Sequence, residues 1–338
     1  MTTCGSTLRK SITKGRDTLG DGSMGVHIAV VGNGRIGRPT AYTLLNERLA
    51  DEFSVVDTRP SLAWAFGEEL SHVAASLKYD VEINTYEEDE GVEGADLVVV
   101  CPGMPRTPGV QMDRRDLVAA NAKIINHIAE VMPPRNPDAR WVIVTNPVDA
   151  MATLFRRVSG AGFIIGTGDH PDTLRFRTKL SREFGVPVSS VEGYVGGEHG
   201  SAAYPLWSTV RIADTALADY LSETGKSLDR EEVVGYVRGV SKKLVDVIGG
   251  TEVGPASGFR DIVRSILQDR GEVYSVAQPL KLPGIPEEVN ANVPTRVGLK
   301  LGPNIWDSLP EEEQANIVEA AKAIHANYLT GLRAVGKA

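Results

Sequence analysis

A glycine-rich hexad, Gly32-Asn33-Gly34-Arg35-Ile36-Gly37, stands between an apolar run and a stretch of helical spacing, the setting of a turn that receives phosphate. Gly32 permits the tight turn, Gly34 lets backbone approach a pyrophosphate, and Gly37 lets the following helix pack closely on the preceding strand. The helix then faces the phosphates with unpaired N–H groups and a partial positive charge. Asp57 lies 20 residues beyond Gly37, at the end of a second apolar run. A carboxylate there accepts hydrogen bonds from both ribose hydroxyls of an adenosine and repels a 2′-phosphate, so the pair predicts NAD rather than NADP as cofactor. Arg59, two residues on, softens that preference.

Five later segments carry further groups suited to chemistry: Pro102-Gly103-Met104-Pro105-Arg106-Thr107-Pro108-Gly109 followed by Arg114, Thr145-Asn146-Pro147-Val148-Asp149, Asp172-Thr173-Leu174-Arg175-Phe176-Arg177, Gly197-Glu198-His199-Gly200, and Gly249-Gly250-Thr251. Asp172 and Arg175, three apart, share a face on a helix; taken alone they also describe a surface ion pair. His199 titrates near neutrality as an imidazole does; a satisfied core histidine is its bland alternative. His170 sits near Asp172, but adjacent residues diverge on a helix, and a structural role is expected. His27, His72, His127 and His325 fall in strand or helix patterns, where packing or surface roles are expected.

The elements that must position these groups alternate along the chain. Residues 26–31 and 53–57 read as strands, with helical spacing at Ala41, Leu44, Leu45 and Leu49 between them, one βαβ unit. Strands are also expected at 95–101 and 141–145, around a helix at 117–131. That alternation predicts an α/β fold, a Rossmann-type doubly wound parallel sheet with its ligand at the carboxyl ends of the strands. After about residue 150 the pattern is mixed: helices near 172–184, 230–247 and 259–268, strand pieces at 273–276 and 293–301, and a closing helix at 310–329. The division expected is a flexible tail at 1–24, an NAD-binding domain at 25–150 and a C-terminal α+β catalytic domain at 151–338. The acidic run Glu87-Glu88-Asp89-Glu90 reads as a solvated loop rather than a metal site.

Composition narrows the partners. A net charge of −8 over 338 residues argues against a nucleic-acid surface, and no apolar run has the length to span a bilayer. Two distant cysteines, Cys4 and Cys101, imply neither a disulfide framework nor a metal knuckle. A soluble, cytoplasmic enzyme acting on small molecules is expected. The basic, acid-poor start of the tail has the composition of an organelle transit peptide as well, and a solvated tail is the preferred reading.

Taken in order and at these separations, the five segments resemble the lactate and malate dehydrogenase family, from about residue 26 to near the C-terminus. The resemblance implies hydride transfer between NAD and C2 of a small 2-hydroxy or 2-oxo acid. It implies His199 as general base, Asp172 as the carboxylate that fixes its tautomer, and Arg175 as the guanidinium that grips the substrate carboxylate. Arg114 becomes the donor to the reacting oxygen, carried by a lid for which the Pro- and Gly-punctuated stretch before it is suited. Asn146 then bonds the reacting oxygen or the nicotinamide end, Thr251 lines the substrate pocket, and Gly103 and Asn121 join Arg35, Ile36 and the glycines against NAD. No metal is implied. A homodimer or homotetramer is.

Substrate choice follows from the residue before the lid. Arg106 looks like the malate version, where an arginine pairs with a second carboxylate that is costly to bury alone. The Arg106 to Arg114 spacing is longer than in that pattern, and Thr251 matches the lactate form. (S)-Malate and oxaloacetate, with a place in the tricarboxylic acid cycle, are therefore expected first, and lactate or a bulkier L-2-hydroxy acid second. Pro171, in place of an apolar residue, is expected to change only the helix entry. An NAD-dependent glycosidase would need a metal-binding set that Cys101 lacks, and a non-catalytic NAD-binding interaction module would not need His199 and Arg114.

Overall fold

The computed structural model describes residues 25–104 and 114–338, without the side chains of 114–116. The first apolar run forms β1 (His27–Val31), the residues after the glycine turn form α1 (Gly37–Asn46), and the second run forms β2 (Glu52–Val56). β1 and β2 pair in parallel, from His27 on Glu52 to Val31 on Val56. α2 (Leu62–Leu77) crosses to β3 (Glu82–Tyr86), and β4 (Leu97–Val100), α3 (Arg114–Val131), β5 (Arg140–Ile143), α4 (Val148–Ser159) and β6 (Ile164–Gly166) follow. These six strands lie parallel in the order β3-β2-β1-β4-β5-β6. Strand order reverses between β1 and β4, the switch point that the sequence-predicted doubly wound sheet requires.

The chain continues through α5 (His170–Phe184) into an antiparallel sheet of β7 (Val191–Gly196), β8 (Tyr204–Ile212) and β9 (Thr215–Ala216). α6 (Leu217–Thr224), α7 (Arg230–Ile248) and α8 (Val253–Leu267) come next. β10 (Glu272–Leu280), β11 (Val289–Val297) and β12 (Leu301–Asn304) then extend the central sheet, β10 pairing antiparallel with β6, before α9 (Glu311–Ala334) ends the fold. The central sheet is thus nine-stranded, and both halves of the chain build it. Residue 150 falls inside α4, and the last parallel strand, β6, lies beyond it.

Why β1 and β4 are continuously apolar is clear from what covers them. Ile28, Val30, Leu97 and Val99 point to one face, where α1 supplies Leu44 and Leu45 and α8 supplies Ile262 and Val263. Ala29, Val31, Val98 and Val100 point to the other, against α3, α4 and α9. A strand buried on both faces has no polar alternation to show.

Two expectations are corrected. The strand piece at 293–301 is two strands, β11 and β12, separated by residues 298–300. The acidic run is not wholly solvated: Asp89 is buried, 3.6 Å from Nε2 of His127. Among the described residues no helix is long and apolar enough to cross a membrane.

Candidate functional site

Every described residue singled out for cofactor or acid–base chemistry, except Thr251 and His199, follows a parallel strand at its carboxyl end or lies on the helix after it; His199 follows β7 of the antiparallel sheet. The glycine turn follows β1, Asp57 follows β2, Gly103 follows β4 and Asn121 lies on α3, Asn146 follows β5, and Asp172 and Arg175 follow β6 on α5. Arg106 lies outside the described residues. Arg114 opens α3, its side chain outside the description.

The glycine turn is built for its occupant. Gly32 has φ +86°, and a Cβ there would come 2.6 Å from the Pro102 nitrogen, so both its conformation and its contact with the β4 end demand glycine. A Cβ on Gly37 would sit 1.7 Å from the Gly32 carbonyl oxygen. The close approach at Gly37 is therefore to the turn's own backbone rather than to the strand. Beside Gly34 the space is open, as a ligand approaching the backbone requires. Asn33 is buried with neither side-chain amide atom bonded, an orphan that a bound polar ligand would satisfy.

Asp57 is buried at the end of β2 and accepts the Asn33 amide at 2.8 Å. Its oxygens also accept the Arg59 amide at 3.0 Å and the guanidinium Nε and Nη2 at 2.9 and 2.8 Å. Burial works to raise its pKa, and the bonds and charge of Arg59 with the Asn33 amide bring it below the usual carboxylate value. Asn121 ties two strand ends together, accepting the Met104 amide at 2.8 Å and donating to the Asn146 carbonyl at 2.6 Å; a cis peptide joins Asn146 to Pro147. Ile36 is the N-cap of α1. Arg35 turns towards the second half of the chain, donating to Glu252 at 3.0 Å and lying against Gly249 and Gly250. Thr251, half-buried in the same turn, makes no hydrogen bond with the His199 cluster among the described residues.

His199 is the centre of the second group. β7 ends at Gly196, and Gly197, at φ +104° with the Ala202 carbonyl and Ala320 pressed against its Cβ position, swings the chain back into the molecule. The His199 amide donates to Asp149 at 2.7 Å, and its ring Nδ1 lies 2.6 Å from Asp172 Oδ2. Asp172 Oδ1 takes Nη1 of Arg175 at 2.5 Å across one helical turn, so one carboxylate holds both the imidazole and the guanidinium. Burial works to raise the Asp172 pKa, but His199 and then Arg175 outweigh it and hold it below the usual range. For His199, burial pulls downward, while the charge and hydrogen bond of Asp172 and the charge of Asp149 lift the imidazole above its ordinary value.

The spacing of the motifs did not reveal Asn292. From β11 it donates to Asp149 at 2.9 Å and to the Gly197 carbonyl at 3.1 Å, and accepts the Asp169 amide at 3.1 Å. It pins α4, the His199 loop and α5 together. Its signal in the sequence is polar Asn290 and Asn292 alternating with apolar residues in a strand buried almost throughout. His170, as expected, is structural: buried, 3.7 Å from Asp261 and edge-on to Tyr274.

Asp169, Asp172 and His199 offer donor atoms within 4.8 Å of one another. Both Asp172 oxygens and the His199 Nδ1 are already engaged with each other and with Arg175, an arrangement suited to handling a proton. It can hold an imidazole in one tautomer, stabilise its charged form and anchor an anion beside it.

Comparison with known proteins gives one answer. A family model described as lactate/malate dehydrogenase, NAD binding domain, matches residues 26–162, and one described as lactate/malate dehydrogenase, alpha/beta C-terminal domain, matches residues 171–333. The chain is 35% identical to the malate dehydrogenase of Sulfolobus acidocaldarius over 91% of its own length and 97% of the relative's. It is 32% identical to the L-lactate dehydrogenase of Macrococcus caseolyticus over 90% of its length and 98% of that protein's. Its fold matches the crystal structure of Cryptosporidium parvum malate dehydrogenase with TM-score 0.83 and 26% identity, covering 90% of this chain and 98% of the other.

Proposed function

Because this chain belongs to the lactate/malate dehydrogenase family, and is thereby an NAD-dependent oxidoreductase, we propose that it interconverts (S)-malate and oxaloacetate with His199 and Asp172 as its acid–base pair. The observation that carries this reading is the single carboxylate of Asp172, which holds the His199 ring at 2.6 Å and Arg175 at 2.5 Å.

In the oxidising direction His199 accepts the C2 hydroxyl proton on Nε2, the ring nitrogen that Asp172 leaves free, and the new positive charge is stabilised by that carboxylate. Arg175 retains donors beyond the one engaged by Asp172 and grips the C1 carboxylate. To Arg114, by its place in the motif, falls the stabilisation of the reacting oxygen's negative charge in the reducing direction. Asn146 orients the same oxygen or the carboxamide end of the cofactor. NAD, when bound, takes or returns the C2 hydride. The glycine turn, Gly103 and Asn121 would hold it, and Asp57, which accepts from Arg59 here, would meet the adenosine ribose.

Malate is favoured over lactate by Arg106, a cation for a second carboxylate, and by the 35% identity shared with the malate dehydrogenase of Sulfolobus acidocaldarius. Thr251 and the long Arg106 to Arg114 spacing support lactate or another L-2-hydroxy acid as the second reading. Following NADH consumption with oxaloacetate, pyruvate and branched 2-oxo acids decides between them: the highest kcat/KM is expected with oxaloacetate, and a pyruvate preference overturns malate. We also propose a homodimer or homotetramer. Supporting it, Tyr42 of α1 stands 51% exposed in a groove lined also by Leu62, Phe66 and Leu70 with Arg38 and Glu69, and Trp64 of α2 is 60% exposed, surface of the kind a subunit covers. Sedimentation of a monomer would remove that reading.

A further inference from the structure

Asp169 occupies the N-cap of α5, where an aspartate side chain ordinarily turns back to accept amides of the first turn. It makes no such bond. Its side chain is fully buried, and neither carboxyl oxygen meets an N–H or hydroxyl donor among the described residues, its side-chain hydrogen-bond neighbour being the Asp172 carboxyl. The carboxyl is turned the other way, with Oδ1 at 4.0 Å from His199 Nδ1 and an oxygen within 4.8 Å of one on Asp172.

Most of the charged groups around it are acids. Asp172 faces it from its own helix, Asp149 from α4, and Glu198 with His199 from the loop after β7. The nearby cation on α5, Arg175, is bound to Asp172. Asn292 of β11 is neutral and takes the Asp169 backbone amide, leaving the carboxyl itself uncompensated. Burial first, and then the charges of Asp172 and Asp149, push the Asp169 carboxyl well above the usual carboxylate range. An ionised group there would be desolvated, unpaired and beside an existing anion, the situation in which two close carboxylates share one proton.

We propose that Asp169 is a positioning residue that keeps its proton at neutral pH and donates it to Asp172, so that His199 is backed by a carboxylic acid–carboxylate pair instead of two anions. The catalytic proton still passes only between the substrate oxygen and Nε2 of His199, and the Asp169 proton stays where it is. Its effect is on the imidazole. A second anion beside the ring would hold the abstracted proton more tightly and slow its release, whereas a hydrogen bond to Asp172 draws charge away from the oxygen facing Nδ1. The inference rests on the reading of His199 as the base only for its catalytic consequence, since the pair itself is a property of the resting protein.

The test uses the full-length protein and needs no turnover. Infrared spectra of the parent and Asp169→Asn are compared for the carbonyl stretch of a protonated carboxylic acid, and histidine NMR follows the His199 titration in parent, Asp169→Asn and Asp169→Leu. Asp149 contributes an acid band to both proteins near neutrality, so the acid band that counts is the one left in the parent-minus-Asp169→Asn difference spectrum, expected in the parent at neutral pH and lost in the variant. Asparagine is a neutral donor of nearly the same shape, so the His199 midpoint should stay within about 0.3 of the parent's, while leucine, which cannot donate to Asp172, should raise it by about half a unit or more. A difference spectrum without that band overturns the proposal. So does a His199 midpoint that falls by about one unit in Asp169→Asn, the sign of a lost anion, or one unmoved by leucine. If Asp169→Leu does not fold, the infrared band and the asparagine titration still decide. Retained turnover in His199→Ala would instead remove the base assignment and leave the acid–carboxylate pair standing.

Discussion

The backbone amide of His199 donates to the carboxylate of Asp149 at 2.7 Å, although the two residues are 50 apart in the chain. The same carboxylate takes Nδ2 of Asn292 at 2.9 Å, so the start of α4, the His199 loop and β11 meet on one buried group. Asp149→Ala leaves the His199 amide without its partner, and an unsatisfied buried group costs about 1–3 kcal/mol. The expected outcome is a lower thermal midpoint together with a loss in kcat larger than any rise in KM. A variant that melts lower but keeps its kcat would show that Asp149 holds the fold and not the imidazole.

His199→Ala should lower turnover by at least about 100-fold with NADH affinity nearly unchanged. Fluorescence titration with NADH and steady-state kinetics separate the two quantities. A comparable loss in both would mean that the substitution damages the cofactor crevice.

The raised pKa of His199 sets the direction of the pH profiles. Reduction needs the protonated ring and should fall as pH rises through that pKa; oxidation needs the neutral ring and should rise over the same range. Both limbs belong to kcat/KM of the free enzyme, and identical profiles in the two directions would take the titration away from His199.

Stability carries its own pH signature. Burial pushes the Asp149 carboxyl up to about 7, against the opposing charge of His199 and the hydrogen bond from Asn292. Above the unfolded value of 3.8 the unfolded chain releases a proton that the folded chain keeps, so stability falls as pH rises through this window. The raised His199 adds to the same trend: its stabilisation is complete below the unfolded histidine value and is lost as pH passes the folded one. Asp57 and Asp172 are depressed, and their contribution is lost only as pH falls through their folded values, below 3.8. Urea midpoints measured from about pH 4 to 8 should therefore peak on the acidic side of neutrality, and a peak at the alkaline end would contradict the assignment of these buried groups.

Gly37→Ala places a methyl 1.7 Å from the Gly32 carbonyl oxygen. The turn must open to admit it, at about 1–3 kcal/mol, and its amides then miss the pyrophosphate. NADH binding should weaken at least about tenfold, which is 1.4 kcal/mol. Gly34→Ala meets no protein atom within 4 Å, so any loss there reports the ligand's own approach.

Much of the dinucleotide half was legible because its strands are short, apolar and punctuated by glycine, and because Asp57 stands at a fixed distance from the turn. α4 was not read as a helix although it carries a helical pattern; residues 148–155 are all buried, so its polar Asp149 and Thr153 face protein and not solvent. β12 merged with β11 because a three-residue break leaves the apolar pattern almost continuous. In the catalytic half the motifs named Asp172, Arg175 and His199, whose convergence only the fold could show. Asp149 stood in view without a role, Asn292 lay in a strand too distant to associate, and nothing in the spacing says that an N-cap aspartate at 169 turns away from its own helix.

Arg106 offers the sharpest test of substrate. It lies outside the described residues, so its role rests on sequence: a cation before the lid pairs with the second carboxylate of malate or oxaloacetate, and a monocarboxylate has no group to meet it. Arg106→Gln removes the charge and keeps a polar side chain, so the loss should fall on oxaloacetate alone, by roughly 100-fold for a charge pair worth about 3 kcal/mol. Pyruvate reduction should hold or improve, since a cation that was desolvated without a partner is gone. Measuring kcat/KM for both acids on the same preparation controls for folding and for the cofactor site, because damage to either lowers the two together. Equal losses would take Arg106 out of substrate selection and return the choice to Thr251 and the pocket around it.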